Sequence, residues 1–248
     1  MSTLDRRVVC DFVNEEIAKF HQNRLDALGK IRLGLVLRKK NPYLFRARNF
    51  SDASDLVEAI MNAFLSSSEE EIFGAFLEEL AIFISEQTHG GRKSTATGLD
   101  LEFDREGTRY LVAIKSGPNW GNSSQYARLE GNFKKAVAVQ RQSHRVAHVQ
   151  PVLGICYGKS PAFTDKGTYW KIIGQRFWYF LSGDENLYVD IVEPIGYEAE
   201  RRNADFEARR AEIQKRLTAE FMARFCNEDS TINWHKLVAF NSGNLNDS

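Results

Sequence analysis

Apolar positions at the start of the chain recur at helical spacing. Val8, Val9, Phe12, Val13, Ile17, Phe20, Leu25 and Leu28 form one stripe over residues 5–28, and Gly29 follows as a stop. Pro42 then disfavours helix at Asn41, and the arginines of NPYLFRARN alternate with apolar or small residues. Residues 51–64 read as a second helix. In SSSEEEIFGAFLEELAIFISEQ, Ser68 followed three positions later by Glu71 predicts a capping box that opens a third helix, ending near Gln87.

The period changes after the Gly, Ser and Thr connector HGGRKSTATG. Residues 99–103 alternate as a strand, DREGT turns the chain, and residues 109–115 return as a second strand. A Gly, Pro and Asn loop leads to a helix over about 123–140 and then to the apolar strand in HVQPVLGICYG. YWKIIGQRFWYFLSG, LYVDIVEPIG and a long helix from about 197 to 225 complete the pattern. Helices, a hairpin and a helical crossover to a further strand predict an α/β fold with a central mixed β-sheet flanked by helices. With no repeat and no long linker, one domain is expected over 1–248, with an N-terminal helical extension (about 1–66) and a C-terminal helical part (about 196–248).

No apolar run reaches membrane-spanning length, and acids enter too early in MSTLDRRVVCDFVNEE for a signal peptide, so a cytoplasmic protein is expected. Cys10, Cys156 and Cys226 lack zinc spacing and are expected to be reduced. The formal net charge of zero conceals a segregation. Residues 1–50 hold eleven Lys or Arg against five acids, whereas residues 51–90 hold nine acids and no Lys or Arg. Arg128, Lys134, Lys135, Arg141 and Arg145 then face Glu130 alone over 126–150. Local patches could hold a polyanion, but the balance argues against a protein that coats nucleic acid indiscriminately.

The candidate chemistry lies on the hairpin. Alternation puts Asp100 and Glu102 on one face and Leu99, Leu101 and Phe103 on the other. Closure around 105–108 sets Asp100 opposite Ala113, with Lys115 on the same face. The plain reading is a solvent-facing strand with a cross-strand ion pair. Against it, YLVAI is apolar on both faces, so Lys115 emerges from burial where its strand ends, a desolvated position suited to chemistry.

These residues resemble the PD-(D/E)XK nuclease superfamily, with Asp100 at the first position of its signature, Lys115 at the last, and Ala113 where an acid is expected. Candidates for the displaced acid are Glu102 and a glutamate of the preceding helix. There, the Gly74 to Glu78 interval followed by GGRKSTATGLD resembles archaeal Holliday junction resolvases. Glu79 is the fallback, lying nearer the stripe of Ile72, Phe76, Leu80 and Phe83 on a helical wheel. Gln125 in QYARL resembles an element of RecB-type nucleases and shares a stripe with Leu129, Phe133 and Ala136, so it is expected to face inward. KKNPYLFRARN, FLEELAIFI, GLDLEF, IKSGPNWGNSSQ, CYGK and FW, in that order, are similar to a family of bacterial type II restriction endonucleases.

That resemblance implies a sequence-specific endonuclease on double-stranded DNA, a homodimer, and a cognate DNA methyltransferase in the same system. Phosphodiester hydrolysis with oxygen ligands suits Mg²⁺, with Mn²⁺ as a possible substitute. The expected ligands are Asp100, Glu102 or Glu78, and the carbonyl of Ile114, while Lys115 orients water or stabilises the phosphate. Lys93, Ser94, Ser116, Asn119, Trp120, Asn122 and Ser123 are the expected DNA contacts, and NPYLFRAR and YGKSPAFTDKGTYWK are candidates for groove contacts. A junction resolvase or repair nuclease is the alternative within the same chemistry, and an inactive DNA-binding protein with a nuclease fold is the alternative outside it.

Overall fold

The computed structural model describes residues 4–142, 148–159 and 161–243, so Arg145 lies outside the described residues. In chain order the elements are α1 (Arg6–Gly29), α2 (Leu33–Lys39), α3 (Pro42–Ala47), α4 (Ala53–His89), β1 (Arg92–Lys93), β2 (Leu101–Arg105), β3 (Thr108–Lys115), α5 (Ser123–Gln142), β4 (His148–Ile155), β5 (Phe163–Asp165), β6 (Trp170–Ile173), α6 (Gln175–Ser182), α7 (Leu187–Asp190), α8 (Val192–Ile195), α9 (Ala199–Phe225) and α10 (Trp234–Ser242). They form two compact units. One comprises Met1–Ala18 and Phe73–Tyr197, the other Lys19–Ile72 and Glu198–Ser248.

The first unit is an α/β layer structure around a six-stranded mixed sheet in the order β1-β2-β3-β4-β6-β5. β3, β4 and β6 run parallel, and the other pairings are antiparallel. The β2–β3 hairpin closes through Glu106 and Gly107, both at positive φ, the two-residue loop that matches strand twist. Its register pairs Leu101 with Val112 and Arg105 with Thr108, as the alternation predicts. One face buries Leu101, Phe103, Tyr110, Val112 and Ile114 with α4 and α6; the other buries Leu111, Ala113, Leu153 and Ile155 under Leu129, Phe133 and Ala136 of α5. Leu99 departs from the expected alternation. It precedes β2 proper and packs with Leu111 and Ala113 rather than with Leu101. Gly154 in β4 lets the Phe177 ring lie directly on the sheet, because a Cβ there would overlap it.

Two local expectations give way, the separate helices over 51–87 and the connector that follows them. The two helices read over 51–64 and 68–87 are the single 37-residue α4. Its start is capped by Asp52, whose carboxylate accepts from the N–H of Ser54 and Asp55. The serines read as a cap lie inside it, where Ser67 Oγ donates back to the Ala63 carbonyl at 3.1 Å. Asn41 is extended, as the proline after it dictates, and caps α3, which Pro42 opens because a missing N–H does no harm at a first helical turn. The connector after α4 contributes the short edge strand β1. Among the described residues, no helix is long and apolar enough to cross a membrane.

The second unit is helical, with a core of Leu28, Leu33, Leu37, Leu56, Ile60, Phe206, Leu217, Phe221 and Leu237. At its margin His21 is buried, and Arg24 lies over the Phe206 ring at 4.0 Å while pairing with Glu69 at 2.7 Å. Burial, followed by the charges of Arg24 and Arg202, holds the His21 imidazole below its ordinary pKa. An unfolded chain therefore takes up protons at this residue before the native one does, and stability falls as pH drops below about 6.5. Thermal melts across this range should show a smaller fall for His21→Gln than for the parent. Superimposable pH profiles would rule out His21 as a source of the loss.

Candidate active site

β3 is buried along both faces from Tyr110 to Ile114 and emerges at Lys115, and the residues just before β2 bring Asp100 to that end. The Asp100 N–H donates to the Val112 carbonyl at 2.9 Å, extending the pairing by one position. Its side chain then turns along the strand, and Oδ2 accepts from the Ile114 N–H at 2.6 Å. Lys115 Nζ stands 3.6 Å from the same oxygen, with both side chains partly buried. The N–H and carbonyl of a strand residue point to the same side, so the Ile114 carbonyl also faces the edge that Asp100 occupies. The hairpin therefore brings Asp100, Lys115 and the Ile114 backbone together.

α4 supplies a second acid. Glu78 is partly buried, and burial first, then the negative charge of Asp100, raise its carboxyl above the usual glutamate range. Lys93 and Lys115 act in the opposite direction. One turn earlier, Gly74 faces Ser116, the residue after Lys115. This face of α4 continues through Leu77 and Ala81, which are buried along with Phe76 and Leu80 of the stripe read off the sequence, so the buried face is wider than that stripe and reaches the side that carries Glu78. Glu79, placed nearer that stripe by the helical wheel, is instead the more exposed of the two and accepts from Lys93 Nζ at 3.0 Å.

Glu102 is not brought to this cluster. It lies opposite Leu111 on the face covered by α5, buried, with its carboxylate held by Arg92 Nε at 2.7 Å. The structure thus places the two proposed substitutes for the missing acid in different surroundings: Glu78 beside Asp100 and Lys115, and Glu102 in an ion pair on the neighbouring edge strand. Among the described residues, no group of three or more His, Cys, Asp or Glu is arranged to hold a metal. Any ion here would rest on two carboxylates, backbone and water. Cys156, buried nearby, has its thiol pushed up by burial and stays neutral.

The loop after Lys115 is ordered by aromatic contacts. Trp120 lies with its ring centroid 5.5 Å from Lys115 Nζ, and Tyr126 meets it edge-on at 5.2 Å. The Tyr126 hydroxyl donates to the Trp120 carbonyl. Asn122 caps α5, accepting from the Gln125 N–H, while Gln125 Oε1 accepts from the Asn122 N–H at 2.9 Å. This reciprocal cap corrects the expectation that Gln125 faces inward. The stripe of Leu129, Phe133 and Ala136 is buried as read, but Gln125 sits at the helix start, is exposed, and spends its side-chain oxygen on the cap.

Of the expected DNA contacts, Asn119, Asn122 and Ser123 are exposed, and Ser116 and Trp120 are partly buried. Lys93 reaches back to Glu79, and Ser94 Oγ accepts from the Ala96 N–H. Tyr157, the first residue of the groove-contact candidate YGKSPAFTDKGTYWK, is half exposed, and its hydroxyl lies where a Cβ on Gly117 would stand.

A family model described as Type II restriction endonuclease EcoO109I matches residues 7–203. Among curated proteins no similar sequence was found.

Proposed function

The chain belongs to the EcoO109I family of type II restriction endonucleases, and we propose that it cleaves double-stranded DNA at a specific sequence with Mg²⁺, using a PD-(D/E)XK-type centre in which Glu78 replaces the acid absent at Ala113. The observation that carries this reading is the pairing of Glu78 with Asp100 at the end of β3, with Lys115 3.6 Å from Asp100 and Lys93 3.8 Å from Glu78. A glutamate whose ionised form is disfavoured by burial and by a neighbouring aspartate suits a divalent cation, and Mg²⁺ takes one or two carboxylates and keeps several waters. Asp100, Glu78 and the Ile114 carbonyl would hold it, and Mn²⁺ could stand in for it. When bound, such an ion neutralises phosphate charge and lowers the pKa of water.

The chain's own groups do the rest. Asp100 is fixed by the Ile114 N–H, so its second oxygen keeps one orientation. Lys115, held between Asp100 and the Trp120 ring, presents N–H donors to the attacking water or to a phosphate oxygen. Glu102, kept as the other candidate in the sequence reading, is better explained as the partner of Arg92.

Cutting both strands of a symmetric site is most simply done by two copies related by a twofold axis, so a homodimer on DNA follows, each copy with its own Asp100 and Lys115. A cytoplasmic location and a cognate methyltransferase belong to the same reading, since a cell must protect its own sites. Digesting a plasmid of known sequence with Mg²⁺ should give discrete bands. A smear, or cutting confined to branched DNA, would favour the repair or resolvase alternative, and no cutting at all an inactive DNA-binding protein. Mixing parent with excess Lys115→Ala protein should enrich nicked circles if the enzyme acts as a dimer; simple dilution of linear product would contradict it.

A further inference from the structure

Between Asp26 and Asp52 the chain has seven Lys or Arg and no acid. In the helical unit this segment folds as α2 and α3, which bury Leu33, Val36, Leu37, Pro42 and Phe45. The opposite side exposes Arg38, Lys39, Arg46 and Arg48 together with Leu35, Tyr43 and Leu44, each of these three more than half exposed.

The way these cations are held distinguishes them from most arginines of α9. On α9, arginines are neutralised by neighbouring acids: Arg209 by Glu212 at 2.6 Å, Arg210 by Glu207 at 2.8 Å and Arg224 by Glu220 at 2.6 Å. Among the described residues, none of the four cations of the α2–α3 surface has a carboxylate partner. Three are set against rings instead, Arg38 at 5.1 Å from Phe240, Arg46 at 5.5 Å from Trp234 and Arg48 at 5.0 Å from Phe50. A ring orients a guanidinium while leaving its N–H donors unspent and its charge uncompensated. Asn241 Nδ2 further ties the end of α2 by donating to the carbonyls of Leu37 and Lys40. The charges are thus positioned in advance of any partner.

We propose that this α2–α3 face docks on the phosphate backbone of duplex DNA. The proposal rests on the reading of the chain as a DNA endonuclease and adds the surface by which the helical unit holds the substrate. A second copy of the chain is the competing occupant for a face that also exposes Leu35, Tyr43 and Leu44. A twofold contact would set these cations against themselves, whereas a polyanion releases counterions on meeting them. Their seating on rings and the lack of acids between Asp26 and Asp52 both favour the polyanion.

The test is the binding of a labelled duplex by full-length protein in EDTA, where no cleavage occurs, over a series of salt concentrations. The variant Arg38→Gln/Lys39→Gln/Arg46→Gln/Arg48→Gln should bind roughly tenfold or more weakly. Its plot of log affinity against log salt should be shallower by about 3 to 4. The set Arg38→Lys/Arg46→Lys/Arg48→Lys, which keeps the charges, should restore most of the slope. Arg209→Gln/Arg210→Gln on α9 should leave affinity within about twofold. If parent protein binds and cuts DNA but the four-Gln variant matches it in affinity and slope, this surface is wrong and the endonuclease reading stands. If sedimentation shows the variant losing self-association with its salt slope unchanged, the face joins two copies and the proposal is overturned. A parent that neither binds nor cuts DNA defeats the endonuclease reading and this surface with it.

Discussion

Asp100→Ala and Lys115→Ala should each slow plasmid cleavage on the order of a thousandfold or more, the scale on which a group acting at the reacting phosphate is felt. Both side chains sit at the open end of the hairpin, partly exposed, with the pair 3.6 Å apart. Neither is part of the packed clusters on the two faces of the sheet, so melting should stay within a few degrees of the parent. Asp100→Asn separates charge from shape, because an amide oxygen can still accept from the Ile114 N–H as the carboxylate does at 2.6 Å. It should therefore fold like the parent and cut like Asp100→Ala. Initial rates on supercoiled plasmid with Mg²⁺, together with thermal melts, check the three variants. Cleavage within a few-fold of the parent by Asp100→Ala or Lys115→Ala would remove the proposed centre.

The second large effect separates the two candidates for the missing acid. Glu78→Gln should lose cleavage about a hundredfold or more, and Glu102→Gln should remain within a few-fold of the parent. The pH dependence has a definite sign. Burial and Asp100 hold the Glu78 carboxyl above the usual range, so its proton persists to higher pH than on an ordinary glutamate. A protonated carboxyl cannot hold a metal, and cleavage should decline on acidification earlier than an unperturbed glutamate would dictate. The same shift means that ionised Glu78 is less comfortable in the fold than in the unfolded chain. Its contribution to stability is present at low pH and is lost as pH rises through the raised value. In metal-free buffer at neutral pH, Glu78→Gln should melt at or above the parent while being nearly inactive. If Glu102→Gln is instead the inactive variant, the acid lies on the strand; if both cut normally, Glu79 is the next to substitute.

The hairpin was legible because each of its rules is local. Alternation located Asp100 and Lys115, and the EG turn set a register that the strand pairing reproduces. The mixed sheet followed from a helix joining two strands. Side-chain direction beyond the regular strand was not legible. Glu102 obeys the alternation yet faces Arg92, whose edge strand lay inside a connector that looked flexible. Glu78 and Glu79 are adjacent, and choosing between them required knowing that the buried face of α4 takes in Leu77, Ala81 and Ile84 as well as the Phe76 and Leu80 of the sequence stripe. Gln125 failed for another reason. A helical stripe extrapolated into the first turn ignores the unpaired N–H groups there, and those drew the side chain into a cap. The serines inside α4 failed in the converse way, because a capping sequence has no force where tertiary packing keeps a helix running.

The two-residue turn between β2 and β3 also bears on the order in which the centre is assembled. Asp100 and Lys115 are joined through one of the most local long contacts a chain can make, a hairpin of the kind that closes in microseconds. Glu78 reaches them only when α4 has settled on the sheet, and the parallel pairing of β3 with β4 waits on the whole α5 crossover. The half-site of Asp100 and Lys115 is therefore set by local pairing alone, whereas the acid that completes it depends on packing between elements. In the proposed centre, nuclease activity is withheld until the long helix docks, so a partly folded chain carries the lysine and aspartate without the means to cut the host's DNA.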